Sequence, residues 1–114
     1  MKVRGSYDIE LYLGSINEET KEPFTYKELI HEVSIFQDEY SIMIPVCITN
    51  VEFVSGAEYL EKGWKISVIN FPRISVKTKE LDKFMLDLAR VLMQIFKQNK
   101  VCVVGAKNTV MLER

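Results

Sequence analysis

Thr78 to Asn99 read TKELDKFMLDLARVLMQIFKQN. Leu81, Phe84, Met85, Leu88, Val91, Leu92, Ile95 and Phe96 keep helical spacing through this stretch, which predicts an amphipathic helix of about six turns with one broad apolar face. On its upstream side, Pro45 to Val54 (PVCITNVEFV) and Trp64 to Phe71 (WKISVINF) are β-branched and aromatic and predict strands. The linking SGAEYLEKG is too long for a tight hairpin but has glycine at both ends, so the two strands are expected side by side and antiparallel. Downstream, Val101 to Val104 predicts a further strand, GAKN a turn and Thr109 to Leu112 a final strand.

The first third of the chain completes the pattern. Tyr7 to Leu13 alternates, with Ile9, Leu11 and Leu13 on one face and Asp8, Glu10 and Tyr12 on the other, as a half-buried strand does. A polar loop, GSINEETKEP, follows. Thr25 then stands three residues before Glu28, a capping box that starts a helix by satisfying two orphan N–H groups. Tyr26, Leu29, Ile30, Val33, Phe36 and Tyr40 fall on one side of that helix. The order is β-α-β-β-α-β plus one C-terminal strand, an α+β, ferredoxin-like arrangement with both helices on one face of an antiparallel sheet. In the usual strand order, 4-1-3-2, the strands carrying Cys47 and Cys102 lie toward opposite edges, which argues against an internal disulfide. The other sheet face is left open, to be polar, covered or used.

At 114 residues, with no repeat or linker, the chain is expected to be a single domain, residues 1–114. Fifteen basic and sixteen acidic residues leave a net charge of −1, which gives no electrostatic handle for nucleic acid. The opening MKVRGSYDIE has no apolar run of the signal-peptide kind, and no stretch approaches the ~18 apolar residues of a membrane span, so a cytoplasmic location and no membrane contact are expected. Cys47 and Cys102 make no metal spacing. No cofactor is expected.

Two stretches test the RNA-binding version of this topology. LYLGSI, Leu11 to Ile16, has the form of an RNP2 core with Tyr12 as the stacking ring, but KGWKISVI supplies Lys65 and Ile66 where RNP1 needs a small residue and a second aromatic. Asp8 and Glu10 beside Tyr12 repel phosphate, so RNA is excluded as the expected partner. Catalytic motifs are missing as well: no Gly-x-Ser-x-Gly, no His-Glu-x-x-His, no phosphate-cradling glycine loop. The single histidine, His31, points away from the apolar side of its helix. What remains is a polar set, Asp8, Glu10, Tyr12, Asn50 and Glu52, assigned to the open sheet face, where two carboxylates could work as acid and base if one were desolvated.

ELYLG opening the first strand, IFKQNKVCVV joining helix to strand, and the short final strand give the layout a further likeness. It resembles, over most of the chain, a family of small uncharacterised bacterial ferredoxin-like proteins. The resemblance implies that fold and no established activity, and it carries over no site residues.

The expectation is a non-enzymatic small-ligand-binding or regulatory module that forms a homo-oligomer. The alternative is a small dimeric enzyme of the α/β-barrel kind, its carboxylate-lined cavity closed between two open sheet faces. Leu86, Ala89 and Met93, on a separate flank of the second helix, are the expected subunit interface together with the open sheet. An anionic small molecule is the expected ligand, held by Arg73, Lys77 and Lys79 around Thr78 as N-cap, where cations crowd the positive end of a helix dipole.

Overall fold

The chain follows the order β1 (Glu10–Gly14), α1 (Tyr26–Glu39), β2 (Val46–Val54), β3 (Leu60–Val68), α2 (Thr78–Ile95), β4 (Lys100–Val104) and β5 (Thr109–Glu113). These elements come from a computed structural model that describes residues 8–57, 59–68, 76–105 and 108–114. The five strands form one antiparallel sheet in the order β2-β3-β1-β4-β5. This is the 4-1-3-2 order of a ferredoxin-like fold with β5 added outside β4. Cys47 and Cys102 are free thiols with β3 and β1 between their strands.

Each helix starts for a readable reason. Thr25 caps α1: its Oγ1 accepts from the Glu28 N–H at 3.1 Å and donates to Glu28 Oε1 at 3.2 Å. The reciprocal bond of a full capping box, carboxylate to Thr25 N–H, is replaced by this hydroxyl contact, so one orphan donor is satisfied rather than two. Thr25→Ala is expected to cost about 1 kcal/mol, read as a lower urea midpoint at unchanged m-value. For α2 the cap position falls on Lys77, with Thr78 as the first helical residue and no side chain capping it. The Lys77 carbonyl instead takes the N–H groups of Glu80 and Leu81 at 2.9 and 3.1 Å. At the far end Lys97 adopts φ 52°, and buried Gln98 donates to the carbonyls of Ile16 and Phe96 at 2.7 and 3.2 Å, tying the end of α2 to the exit of β1.

One face of the sheet meets the helices. Leu11, Leu13, Ile66, Val68, Val101 and Val103 point into a core closed by Leu29 and Val33 of α1 and by Leu81, Phe84, Met85, Leu88 and Leu92 of α2. Ala89 and Met93 belong to the same core, 0% and 6% exposed, and Leu86 packs against it partly buried. The flank assigned to a subunit interface is therefore part of this chain's interior: the apolar stripe of α2 is wide because it covers strands on two sides. No described helix is long and apolar enough to cross a membrane.

The link between β2 and β3 is tighter than its sequence implies. Pairing runs without a break from Val46 opposite Val68 to Val54 opposite Leu60, so Leu60 to Gly63 are strand and the turn lies between Val54 and Leu60. Ser55 N–H closes that turn on the Tyr59 carbonyl at 3.1 Å, with Gly56 at φ 80°.

Candidate functional site

In an antiparallel ladder, directly opposed residues share a face. Leu13 faces Trp64, and Trp64 faces Asn50; one step on, Lys62 faces Glu52. Asn50 and Glu52 thus lie on the helix-bearing face. Glu10 and Tyr12, opposite Ser67 and Lys65, lie on the other face. The polar set assigned to the open sheet is split between the two faces, with Asp8 exposed just before β1. On the open side the Lys65 ammonium pairs with Glu10 at 3.3 Å, Tyr12 donates to the same carboxylate at 3.4 Å, and the Tyr12 ring meets Phe53 edge-on at 6.4 Å. Glu10 is already engaged, and the carboxylates meant to gather across that face do not.

The other half of the set has a setting of its own. The inward residues of β2 change character along the strand, from Val46 and Ile48 under α1 to Asn50 and Glu52 beyond it. Over this uncovered part folds the loop 15–24. Asn17 Oδ1 accepts from the N–H groups of Glu19 and Thr20 at 2.9 and 3.0 Å, Asn17 N–H reaches the Glu22 carbonyl at 2.9 Å, and Ile16 bridges Pro23. Outside contacts hold the loop as a unit: Glu18 N–H to the Lys97 carbonyl at 3.2 Å, Arg114 to Glu19 at 2.9 Å, and Ser15 Oγ to the Lys62 carbonyl at 2.6 Å. Phe24 is thereby fixed between two rings, stacked on Phe96 with centroids 3.9 Å apart and tilted against Trp64 at 5.0 Å.

Between loop and hairpin lies a cleft of about 710 Å³, lined by Ser15, Pro23, Phe24, Asn50, Val51, Glu52, Lys62, Gly63 and Trp64. Its volume is in the range of sites for drug-sized ligands. Trp64 and Phe24 provide an aromatic wall, while Glu52 and Lys62 supply one charge of each sign from opposed positions. No hydrogen bond or ion pair engages the side chains of Asn50, Glu52 or Lys62 among the described residues. The Trp64 indole N–H is buried with no acceptor among the described residues, an arrangement that costs about 1–3 kcal/mol in a folded protein. A bidentate or charge-bearing ligand would thus meet unengaged polar groups on one side and an apolar wall on the other.

The remaining candidates are not brought together in this way. Lys77, Thr78 and Lys79 are exposed at the start of α2, and Arg73 lies outside the described residues. His31 is exposed on α1, and no group of three or more His, Cys, Asp or Glu among the described residues is arranged to hold a metal. Tyr59 donates to Glu61 at 2.8 Å, and the phenol is pushed above its ordinary value by that hydrogen bond first and by the nearby charge of Glu61 second. It keeps its proton at neutral pH.

No protein-family model matches the chain, and no curated protein matches it in sequence. Its fold is that of a phage SAM lyase. The apo form of that enzyme superposes with a TM-score of 0.74 at 13% identity, over 100% of this chain and 95% of the other. The form in complex with S-methyl-5′-thioadenosine gives 0.69 at 11% identity, over 100% and 94%. Identities this low establish the fold and assign no residue. They do overturn the expectation of a non-enzymatic binding or regulatory module, since both of these structures, matched over the whole of this chain, are of an enzyme. The cavity, however, is not the one that the enzymatic alternative placed between open sheet faces.

Proposed function

We propose that this protein is an enzyme acting on S-adenosylmethionine or a related 5′-thioadenosyl sulfonium, and that the cleft between loop 15–24 and the β2–β3 hairpin is where the substrate binds. The observation that carries the reading is the end-to-end coincidence of fold with a SAM lyase, including its complex with S-methyl-5′-thioadenosine. Fold alone does not fix chemistry, so the cleft has to suit the substrate on its own terms. A thioadenosyl sulfonium presents an aromatic base, ribose hydroxyls, a positive sulfur and an arm bearing an ammonium and a carboxylate. Trp64 and Phe24 offer stacking surface, Asn50 and Ser15 offer hydrogen bonds, Glu52 complements the ammonium or the hydroxyls, and Lys62 complements the carboxylate.

The bond chemistry asks little acid help of the protein. Breaking the bond between sulfur and the arm returns its electron pair to sulfur, so the thioether departs uncharged and needs no proton. The arm balances the loss by closing on its own carboxylate oxygen or by giving up a proton to a base, and neither route takes up water. Because positive charge on sulfur disappears as the bond breaks, an apolar wall beside it favours the transition state over the bound cation. For the route that needs a base, Glu52 is the carboxylate lining the cleft.

The test is direct. Purified protein incubated with S-adenosylmethionine is expected to release S-methyl-5′-thioadenosine, followed by liquid chromatography and mass spectrometry, and the thioether is expected to bind in calorimetry. Glu52→Gln and Lys62→Ala are each expected to weaken binding or turnover by roughly 10- to 100-fold, the effect of losing one charged hydrogen bond. Unchanged S-adenosylmethionine together with no heat of binding for the thioether would remove the reading.

A further inference from the structure

We infer that the outer edge of β2 is an interface with a second copy of this chain, paired strand to strand across a two-fold axis at Asn50. The inference goes beyond the proposed activity and does not depend on it. β2 ends the sheet on one side, and among the described residues nothing pairs with its outer edge. Sheet edges of stable proteins are protected by shortness, by lysine or proline, or by a bulge. The opposite edge, β5, is short, at five residues, and ends on Glu113 with Arg114 directly after it. β2 has none of these protections: it is nine residues long, VCITNVEFV, with Glu52 as its one charge, and its register against β3 is unbroken from end to end.

The sequence of the edge says what would cover it. Antiparallel pairing of β2 with its own copy keeps each face aligned only when paired numbers have the same parity, and all nine residues overlap only when Asn50 faces Asn50 of the second copy. In that register Val46 meets Val54, Cys47 meets Phe53, Ile48 meets Glu52 and Thr49 meets Val51, so no like charges are opposed. The helix side of the edge is shaped for such a strand. Between α1 and β2 runs a groove of about 240 Å³ whose walls include Tyr26, Ile30, Val33, Val46 and Ile48. Strand addition places alternate side chains in a groove of this kind. Val54, 70% exposed in the single chain, is the residue that the two-fold register brings opposite Val46 and so into the groove. Asn50 and Glu52 line the cleft described above, so the second copy also closes its outer rim.

Light scattering on the full chain at micromolar concentration is expected to give a dimer. In a background of Cys47→Ser and Cys102→Ser, Asn50→Cys is expected to form a covalent dimer under mild oxidation, because directly opposed strand residues sit within disulfide reach. Met111→Cys, on the exposed β5 edge, is expected to stay uncrosslinked in the same background. Thr49→Glu separates assembly from folding. In the single chain its carboxylate faces Lys65 across the ladder, so circular dichroism is expected to be unchanged, whereas in the dimer the two new carboxylates approach diagonally beside Val51. Dimer affinity is expected to fall at least about tenfold. A monomer by light scattering, including one that takes up only peptides of other sequence, would overturn the inference. So would a dimer that neither crosslinks through Asn50→Cys nor weakens in Thr49→Glu.

Discussion

Trp64→Ala is expected to remove about 3–5 kcal/mol of folding stability, the usual cost of deleting a large buried ring. Trp64 is 6% exposed and sits where β3 passes under Phe24, so its loss opens the wall that Phe24, itself stacked on Phe96, leans on. A domain of this size has only about 5–15 kcal/mol in total, which puts the variant close to unfolding at physiological temperature. Trp64→Phe is expected to behave differently. Phenylalanine keeps most of the ring and removes an indole N–H that is buried without an acceptor among the described residues, so relief from an unpaired donor offsets part of the lost volume and the cost falls below about 2 kcal/mol. Urea denaturation followed by far-UV circular dichroism checks both, since Trp64 is the single tryptophan and fluorescence is lost with it. If Trp64→Phe is as costly as Trp64→Ala, the N–H has a partner and the aromatic wall alone must account for the cleft. If instead Trp64→Phe folds well but binds the thioether poorly, the ligand supplies the acceptor that the fold withholds.

Most of the fold was legible because the signals behind it are local and mutually consistent. The apolar stripe from Leu81 to Phe96, the Thr25–Glu28 cap and the alternation around Leu11 each specify one element, and together they leave few ways to order the strands. The site was not legible, for a reason visible in β2. Its apolar residues run Val46 and Ile48, then Val51 and Phe53, a change of parity within one strand that only the terminal Val54 reverses. Grouping Asn50 and Glu52 with Glu10 as polar neighbours on one face treats polarity as the label of the open side. With an unbroken register the change of parity means something else. It marks the point where the helical layer ends, so that the inward residues Asn50 and Glu52 are polar and the outward Val51 and Phe53 apolar, before the exposed Val54 closes the strand. That switch was present in the sequence and is the signal that could have located the cleft. The loop 15–24 could not have been placed over it in the same way, since it is held there by contacts to Lys62, Lys97 and Arg114, which are remote in sequence.

Gly63→Ala is expected to be nearly as damaging as the loss of Trp64, at about 3 kcal/mol. In the sequence this glycine stands in KGW, where it resembles half of an RNA-binding signature; in the structure it answers a packing demand. A Cβ at Gly63 would collide with the Leu13 carbonyl and the Phe53 ring and stand 3.1 Å from the Gly14 Cα. The phenyl ring could turn aside. The carbonyl cannot, because Leu13 is paired with Trp64 in the ladder and moving it breaks the β1–β3 junction at the floor of the cleft. Gly56 provides the comparison. It lies in the hairpin turn at φ 80° with open space around it, so Gly56→Ala costs only the strain of a left-handed residue, about 1–2 kcal/mol, and leaves the sheet untouched. Combining Gly63→Ala with Phe53→Ala separates the two obstacles: if the ring were the whole barrier, the double variant would lose no more than Phe53→Ala alone, whereas a barrier set by the backbone survives the removal of the ring. Chemical denaturation of the four proteins closes the cycle, and a Gly63→Ala variant within about 0.5 kcal/mol of the parent would show that β1 and β3 do not approach as closely as the structure places them.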